Sequence, residues 1–535
     1  MAKKTFLKGA LILGIAGIII KVLGAFFRIP LANIIGDTGM GYYQTAYPVY
    51  VLLLTLSTAG IPTAIARLVS ERVAEGNYRE ADRIFRLSFR LLFVIGVVCC
   101  GILFIGAPFI VGALARPESV FAMRAIAPAL FFVPLMASFR GYFQGLQNMT
   151  PTAVSQVFEQ LFRVVGGLSL ALILVPFGLE YAAAGASFGA TAGAIFGLIS
   201  IFIIYLRQRG SLNSLAADTP ADAVAEASGT ILKKIIIIAV PITIGAAIMP
   251  IMTNIDLAIV MRRLTATGFT SKEANSLYGQ LSGFAAPLIN FPQVLTQSMA
   301  MSLVPAIAAA HKVKDTEFLH KNITLGLRTA MLVGMPCAAG LFVLSKPIML
   351  LLYPAKAESA VSASGCLAVL AIGVIFLSSV QTLTGMLQGI GKQLIPVKNL
   401  CIGAVFKVII TFILTGIPFI NVKGAAAGTV CAYLVASTLN LMAVRKYTGV
   451  KFDFALTYVK PGAASVLMGL AVWAVYHLLY GHLGNSLSAV VGVGCGVVVY
   501  AVLILVLKGI TEEEVEMLPK GKKLSGILRK LKLFR

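Results

Sequence analysis

Lys21 and Arg28 stand seven residues apart inside an otherwise apolar run. Seven residues make about two helical turns, so both cations project from nearly the same face. Such a basic wall attracts phosphate, with arginine offering a bidentate fork and lysine a mobile point charge. Arg28 has a second reading, snorkelling towards headgroups; Lys21 lies too deep for that. Glu159 and Arg163 are spaced i, i+4 and can pair along one helix. A locally neutralised structural pair and a direct anion contact both remain open. Lys407 has Gly403 where an acid would stand at i−4, so its partner must come from elsewhere, and a bound anion is one candidate. Asp256, two residues after Asn254, is the one acidic residue of the apolar stretch 233–261. Its carboxylate could bind Na⁺, take a proton, or pair with Lys21 or Arg262. Gln280, Asn290, Gln293 and Gln297 suit sugar hydroxyls, or else hydrogen bonds between helices.

No constellation for covalent, hydrolytic or phosphoryl-transfer chemistry accompanies these groups. The chain has no GxxxxGK[ST] loop, so ATP bound there cannot supply energy. The four histidines form no HExxH, and the seven cysteines show no metal-ligand spacing. The sequence therefore reads as a transporter rather than an enzyme, with no catalytic residue, metal or cofactor. Its driving force would be an Na⁺ or H⁺ gradient, the membrane potential, a substrate gradient or another subunit.

The composition names the scaffold that must hold these side chains. Apolar residues make up 58% of the 535 and charged residues 12%, against about 25% charged in a soluble domain. Nearly uncharged stretches recur along the whole length, as a hydrocarbon core about 30 Å thick requires. The expected fold class is an all-α polytopic membrane protein with about 14 transmembrane helices. They are read near 8–33, 43–68, 88–114, 121–146, 152–176, 182–206, 233–261, 277–309, 322–352, 360–389, 394–418, 424–444, 457–480 and 485–508. The net charge of +23 does not signal nucleic acid, because no basic soluble domain or aromatic–basic module carries it. With Met1 inside, 30 of the 44 lysines and arginines fall in inner loops and tails and 8 in outer loops. That bias places both termini on the cytoplasmic side of the cell membrane. The basic start resembles a signal peptide, but no small-residue cleavage site follows, so the first helix is expected to be retained.

Two halves of the chain echo one another. Gln144-Gly145-Leu146 and Phe162-Arg163-Val164 recur 244 residues later as Gln388-Gly389-Ile390 and Phe406-Lys407-Val408. Ala182-Ala183-Ala184-Gly185 and Pro62 recur 243 residues later as Ala425-Ala426-Ala427-Gly428 and Pro305. Six spans separate the copies, so the repeat is parallel. This gives an N-lobe over 1–210, a polar cytoplasmic linker over 211–232 and a C-lobe over 233–450. Two further helices follow over 451–510, then a basic amphipathic tail over 511–535 suited to an anionic inner leaflet. Prolines 48, 62, 241, 250, 287, 292 and 305 mark where spans would bend and provide hinges.

Lys21-Val22-Leu23-Gly24 with Arg28, followed by Gly36-Asp37-Thr38-Gly39-Met40-Gly41-Tyr42-Tyr43-Gln44, resembles a family opening. The family is the polysaccharide-biosynthesis branch of the multidrug/oligosaccharidyl-lipid/polysaccharide (MOP) flippases, of the stage V sporulation protein B type, related to lipid II flippases. The resemblance implies two six-helix lobes around a cavity that opens alternately inward and outward. It implies that Lys21 and Arg28 hold the diphosphate of a polyprenyl-linked saccharide, with Arg163 and Lys407 as secondary candidates. The two extra helices would form a groove for the polyprenyl tail. Lipid II flippases typically carry arginines on helices 2 and 8. This chain has no basic residue on its second span before Gly60, nor between Tyr278 and Ala310. The expected cargo is therefore the broader class of lipid-diphosphate-linked sugars, with lipid II or a related wall precursor as its leading member. Membrane lipids and cell-wall synthases are the expected partners. The alternative is a cation-coupled multidrug exporter of the same superfamily, with Asp256 central. A third class is a scaffold that recruits synthases through its basic tail.

Overall fold

The structure is a computed structural model that describes residues 2–114, 116–217 and 226–511. The side chain of Lys21, residues 218–225 of the 211–232 linker and the 512–535 tail lie outside the described residues. Those described are overwhelmingly helical, and no strand occurs among them. In chain order the helices are α1 (Ala2–Thr58), α2 (Ile61–Ala74), α3 (Tyr78–Ala113), α4 (Val120–Ile126), α5 (Ala129–Gly145), α6 (Thr150–Leu174), α7 (Leu179–Ala217) and α8 (Ser228–Ala266). They continue with α9 (Ser271–Gly279), α10 (Ala286–Lys312), α11 (Thr316–Val343), α12 (Ser345–Leu352), α13 (Ala357–Gly389), α14 (Leu394–Thr415), α15 (Lys423–Thr448) and α16 (Lys460–Val506). Apolar side chains fill the interior and also cover the outside: Phe109, Leu478 and Val497 are exposed. A helix apolar on all sides needs an apolar solvent, which a bilayer supplies.

Twelve helical stretches among the described residues are long and apolar enough to cross a membrane. Two of them, Val22–Ala74 and Ala455–Val506, run to 53 and 52 residues, or about 80 Å each at 1.5 Å per residue. Each carries a glycine that breaks the helix, Gly36 (φ 68°, ψ −172°) and Gly484 (φ 68°, ψ −179°). That backbone conformation is essentially closed to residues with a Cβ. The expected fourteen crossings are reached only if each broken stretch counts twice. Pro62 lies in the first turn of α2, where its missing N–H costs nothing. Pro241, Pro250, Pro292 and Pro305 do lie inside helices.

The described chain packs as two compact units, residues 1–265 with 269–279 and residues 266–268 with 280–535. The sequence reading puts the division at the 211–232 linker; the packing instead assigns α8 and α9 to the first unit. Close contacts on α1 explain this. Asn254 Nδ2 donates to the Pro48 carbonyl at 2.9 Å, and Asn275 Nδ2 to the Thr38 carbonyl at 2.8 Å. The Ser276 hydroxyl donates to Asp37 Oδ2 at 2.6 Å. A Cβ on Gly279 would lie 2.0 Å from the Asp37 carbonyl oxygen, so a glycine is needed for the backbones to meet.

Within each unit the same device recurs. Gly141 and Gly145 of α5 lie against Pro62, Ile65, Ala66 and Val69 of α2, and Gly385 and Gly389 of α13 lie against Ala300, Val304 and Ile307 of α10. Both pairs are small-xxx-small seams spaced 244 residues apart in the chain, the form that lets helices pack where no water drives them together. In the second unit a π-turn over Gln280–Ala285 precedes α10, and the buried Tyr353 hydroxyl donates to the Phe284 carbonyl there at 3.1 Å.

Candidate functional site

The first unit gathers its chemistry on α1 and α6. Beyond the Gly36 break, Tyr43, Tyr47 and Tyr50 recur at i, i+4 and i+7 and so share one face. The Tyr43 and Tyr47 rings stack at 5.7 Å, and the Tyr47 and Tyr50 rings follow at 6.0 Å. From α6, the Arg163 guanidinium lies over the Tyr47 ring, 5.1 Å from its centroid, and in electrostatic contact with Tyr43 and Tyr50. Arg28 acts on Tyr43 and Tyr47 from the other side of the break. Phe27 packs edge-on to Tyr43 at 6.1 Å, and its ring would lie 2.8 Å from a Cβ on Gly167, which is why α6 carries a glycine there.

Arg28 and Arg163 are both half-buried. Neither forms an ion pair among the described residues. The expected intrahelical pair between Glu159 and Arg163 is therefore corrected. Glu159 pairs across helices with Arg140 Nη2 of α5 at 2.9 Å, while Arg140 Nε donates to the Ser155 hydroxyl at 2.9 Å. The interhelical pair wins because Arg163 has the tyrosine faces to lie on. Two half-buried guanidiniums without a carboxylate make this region positively charged at membrane depth, a place for an anion.

Against the same stretch of α1, at Gly41 and Thr45, Arg116 is fully buried. Its guanidinium donates to the Gly41 carbonyl at 3.2 Å, to the Thr45 hydroxyl and to Met261 Sδ, and lies over the Tyr278 ring at 5.1 Å. This arginine ties α1, α8 and α9 together and leaves no room for a ligand. On α8, Asp256 is half-buried. Asn254 stands two residues earlier, roughly 200° round the helix, and spends its amide on the Pro48 and Pro250 carbonyls. The two residues are not brought together as one ion site.

A cluster of charges outside the spans fixes the start of α8. Lys234 Nζ donates to both Glu226 carboxylate oxygens at 2.6 and 2.7 Å, Arg72 pairs with the same carboxylate, and the Glu226 amide donates to Glu80 Oε1 at 3.1 Å. Arg83 Nη2 donates to the Ser228 hydroxyl at 3.0 Å. The hydrogen bond from Lys234, with the charge of Arg72 adding, holds the Glu226 carboxyl below the usual glutamate range.

The second unit also carries cations, Arg328 on α11 and Lys407 on α14, but its described network of side-chain hydrogen bonds is neutral. Lys407 of α14 is half-buried. About two turns earlier, α14 joins a buried amide network, Asn399 Nδ2 donating to Asn440 Oδ1 at 2.8 Å and Asn440 Nδ2 to the Thr384 hydroxyl at 3.4 Å. Asn290, Gln293 and Gln297 share a stripe of α10, with Asn290 and Gln297 exposed. Gln280 does not join them: it is buried in the π-turn and accepts from the Ser362 hydroxyl at 2.8 Å. No group of three or more metal-ligating side chains occurs among the described residues. Sequence reasoning missed Tyr43, Tyr47 and Tyr50, although their spacing within an apolar run was a readable signal.

An all-helical, two-unit, apolar-surfaced chain with cations at membrane depth defines a membrane transporter, and comparison with known proteins agrees. A model described as "Polysaccharide biosynthesis protein" matches residues 6–311, and one described as "MatE" matches 282–413. The chain is 27% identical to the stage V sporulation protein B of Bacillus subtilis over 97% of its own length and 98% of that protein's. It is 27% identical to the lipid II flippase MurJ of the same organism over 88% and 89%. Among solved structures, an inward-closed lipid II flippase MurJ superposes with a TM-score of 0.65 at 16% identity, covering 92% of this chain and 98% of that one. An inward-facing multidrug resistance MATE family transporter of the MOP superfamily gives 0.67 at 15%, covering 80% and 94%. The chain belongs to the polysaccharide biosynthesis protein family of the MOP flippase superfamily. It is a multi-pass membrane transporter.

Proposed function

We propose that the chain flips a polyprenyl-diphosphate-linked saccharide, lipid II or a related wall precursor, across the cytoplasmic membrane by alternating access without ATP. The observation that carries this reading is the pair of half-buried guanidiniums, Arg28 and Arg163, that lack an acidic partner among the described residues. A diphosphate supplies the missing negative charge, and each arginine can meet it with two in-plane donors. Lys21, on the same helical face as Arg28, adds a third cation, and Lys407 serves as a secondary contact. Asn290, Gln293 and Gln297 are the neutral groups offered to sugar hydroxyls, and Asp256 is the candidate for Na⁺ or H⁺ coupling. Both termini are cytoplasmic, and the two broken stretches each cross twice. The sporulation and lipid II relatives support a cargo from wall or spore-cortex synthesis, with wall synthases as partners.

The test is exposure of lipid II on the outer face of cells depleted of the protein and its paralogues. Loss on depletion, restored by the parent but not by a correctly inserted Lys21→Ala/Arg28→Ala variant, is the expected result. Unchanged exposure rejects lipid II as an essential cargo. The second reading, cation-coupled drug export, draws on the MatE match and on Asp256. It requires resistance to cationic dyes that disappears with Asp256→Asn.

A further inference from the structure

The tyrosine ladder goes beyond what holding a diphosphate requires. Tyr43, Tyr47 and Tyr50 put three hydroxyls on one face of an apolar helix, and a phenol at membrane depth needs a polar neighbour that a leucine would not. Tyr43 and Tyr50 are buried, whereas Tyr47 is half-buried and keeps an accessible surface. The Arg163 guanidinium carbon lies over the Tyr47 ring, 5.1 Å from its centre. A guanidinium carries five N–H donors, more than its contacts with the Tyr43 and Tyr47 hydroxyls use.

A sugar ring has the matching character, an apolar C–H face and a hydroxylated rim. In a glycosyl diphosphate the first ring is joined to phosphorus through a single oxygen. A phosphate held by Arg163 thus brings that ring within about a ring's width of the guanidinium. Tyr47, 5.1 Å from Arg163, stands at that distance. We propose that Tyr47 is the saccharide-contacting residue of the first unit, backed by the buried rings of Tyr43 and Tyr50. Tyr47 selects sugar-bearing over sugarless polyprenyl diphosphate. The inference rests on the proposed cargo class and adds to it a specificity-determining residue.

The experiment compares binding of undecaprenyl diphosphate with binding of its disaccharide-bearing form to the full-length protein in nanodiscs. Parent, Tyr47→Phe and Tyr47→Leu are measured side by side. The parent binds the sugar-bearing lipid more tightly, by about tenfold, the scale of one aromatic contact. Tyr47→Phe keeps that preference because the ring remains, and Tyr47→Leu removes it while still binding the sugarless lipid. A parent that binds both lipids equally overturns the sugar contact but leaves diphosphate recognition standing. A Tyr47→Leu variant that keeps the preference overturns it as well. A parent that binds neither lipid overturns the contact together with the proposed cargo. If Tyr47→Leu does not stay monodisperse, the parent's preference and its retention in Tyr47→Phe decide the matter.

Discussion

The two units share a packing plan and differ in the chemistry hung on it. In both, a glycine pair on one helix meets a proline-bearing partner, Gly141 and Gly145 on α2, Gly385 and Gly389 on α10. In both, the next two helices pack intimately through small residues: Gly189 lies against the Arg163 carbonyl, and Gly428 against Thr411 and the Lys407 carbonyl. The polar inventory is different. The first unit holds Arg28, Arg163, the tyrosine ladder and the Arg140–Glu159 pair. The second holds the Asn399–Asn440–Thr384 network, the Gln280–Ser362 contact and a hydrogen bond of 2.6 Å from the Thr296 hydroxyl to Gln381 Oε1. The packing is duplicated, while the proposed anion contacts fall mainly in the first half and the described hydrogen bonds named for the second join neutral groups.

The strongest way to break this comparison is to remove cations from each half. Arg163→Ala and Arg28→Ala should each lower affinity for a polyprenyl diphosphate by roughly 10- to 100-fold, the scale of one or two charge-assisted hydrogen bonds. Lys407→Ala should cost less than either. Equal losses in a direct binding assay would remove the asymmetry.

The shared skeleton gives the next test. A Cβ on Gly145 would lie 2.6 Å from that of Val69, and one on Gly389 would lie 2.8 Å from Ile307 Cγ2. Gly145→Ala and Gly389→Ala should destabilise the protein similarly, by about 1–3 kcal/mol as for other overpacked seams. Thermal unfolding in detergent reads both, and an effect confined to one half would show that the packing plan is not shared.

Glu159→Gln sharpens the claim about charge. Arg140 then loses its carboxylate but keeps Ser155, and the expected cost is about 1–2 kcal/mol of stability with diphosphate binding retained. Loss of binding with unchanged stability would place Glu159 in the site instead.

The smallest effect concerns the docked start of α8. The Glu226 carboxyl is held below its ordinary value, so its contribution is present above that value and is lost as pH falls through the lowered one. Hydrogen exchange around 226–234 should therefore rise on acidification in the parent. In Glu226→Gln it should already be raised at neutral pH and change little with acid.

Much of the fold was legible in the sequence because bilayer thickness and backbone satisfaction leave few options for a chain this apolar. The repeat was legible because the glycine seams fall at a fixed offset. The unit boundary was not, because what ties α8 to α1 is a set of single contacts (Asn254 to Pro48, Arg116 to Met261) with no local pattern. The site was half legible. Arg28 and Arg163 announce themselves as charges in apolar helices, but the i, i+4 spacing of Glu159 and Arg163 misdirects. Spacing permits a pair along the helix, and only the neighbouring helix decides whether a better partner exists. Tyrosine was overlooked because it carries no formal charge, although three in register on one face are as informative as a lysine.

The most direct test of the central claim is translocation of a fluorescent undecaprenyl-diphosphate disaccharide in proteoliposomes holding the parent, Arg28→Ala, Arg163→Ala or Lys407→Ala. The account predicts transport by the parent, near-complete loss in both first-unit variants and a milder defect in Lys407→Ala. Full transport by Arg28→Ala and Arg163→Ala, with both correctly inserted, would contradict it.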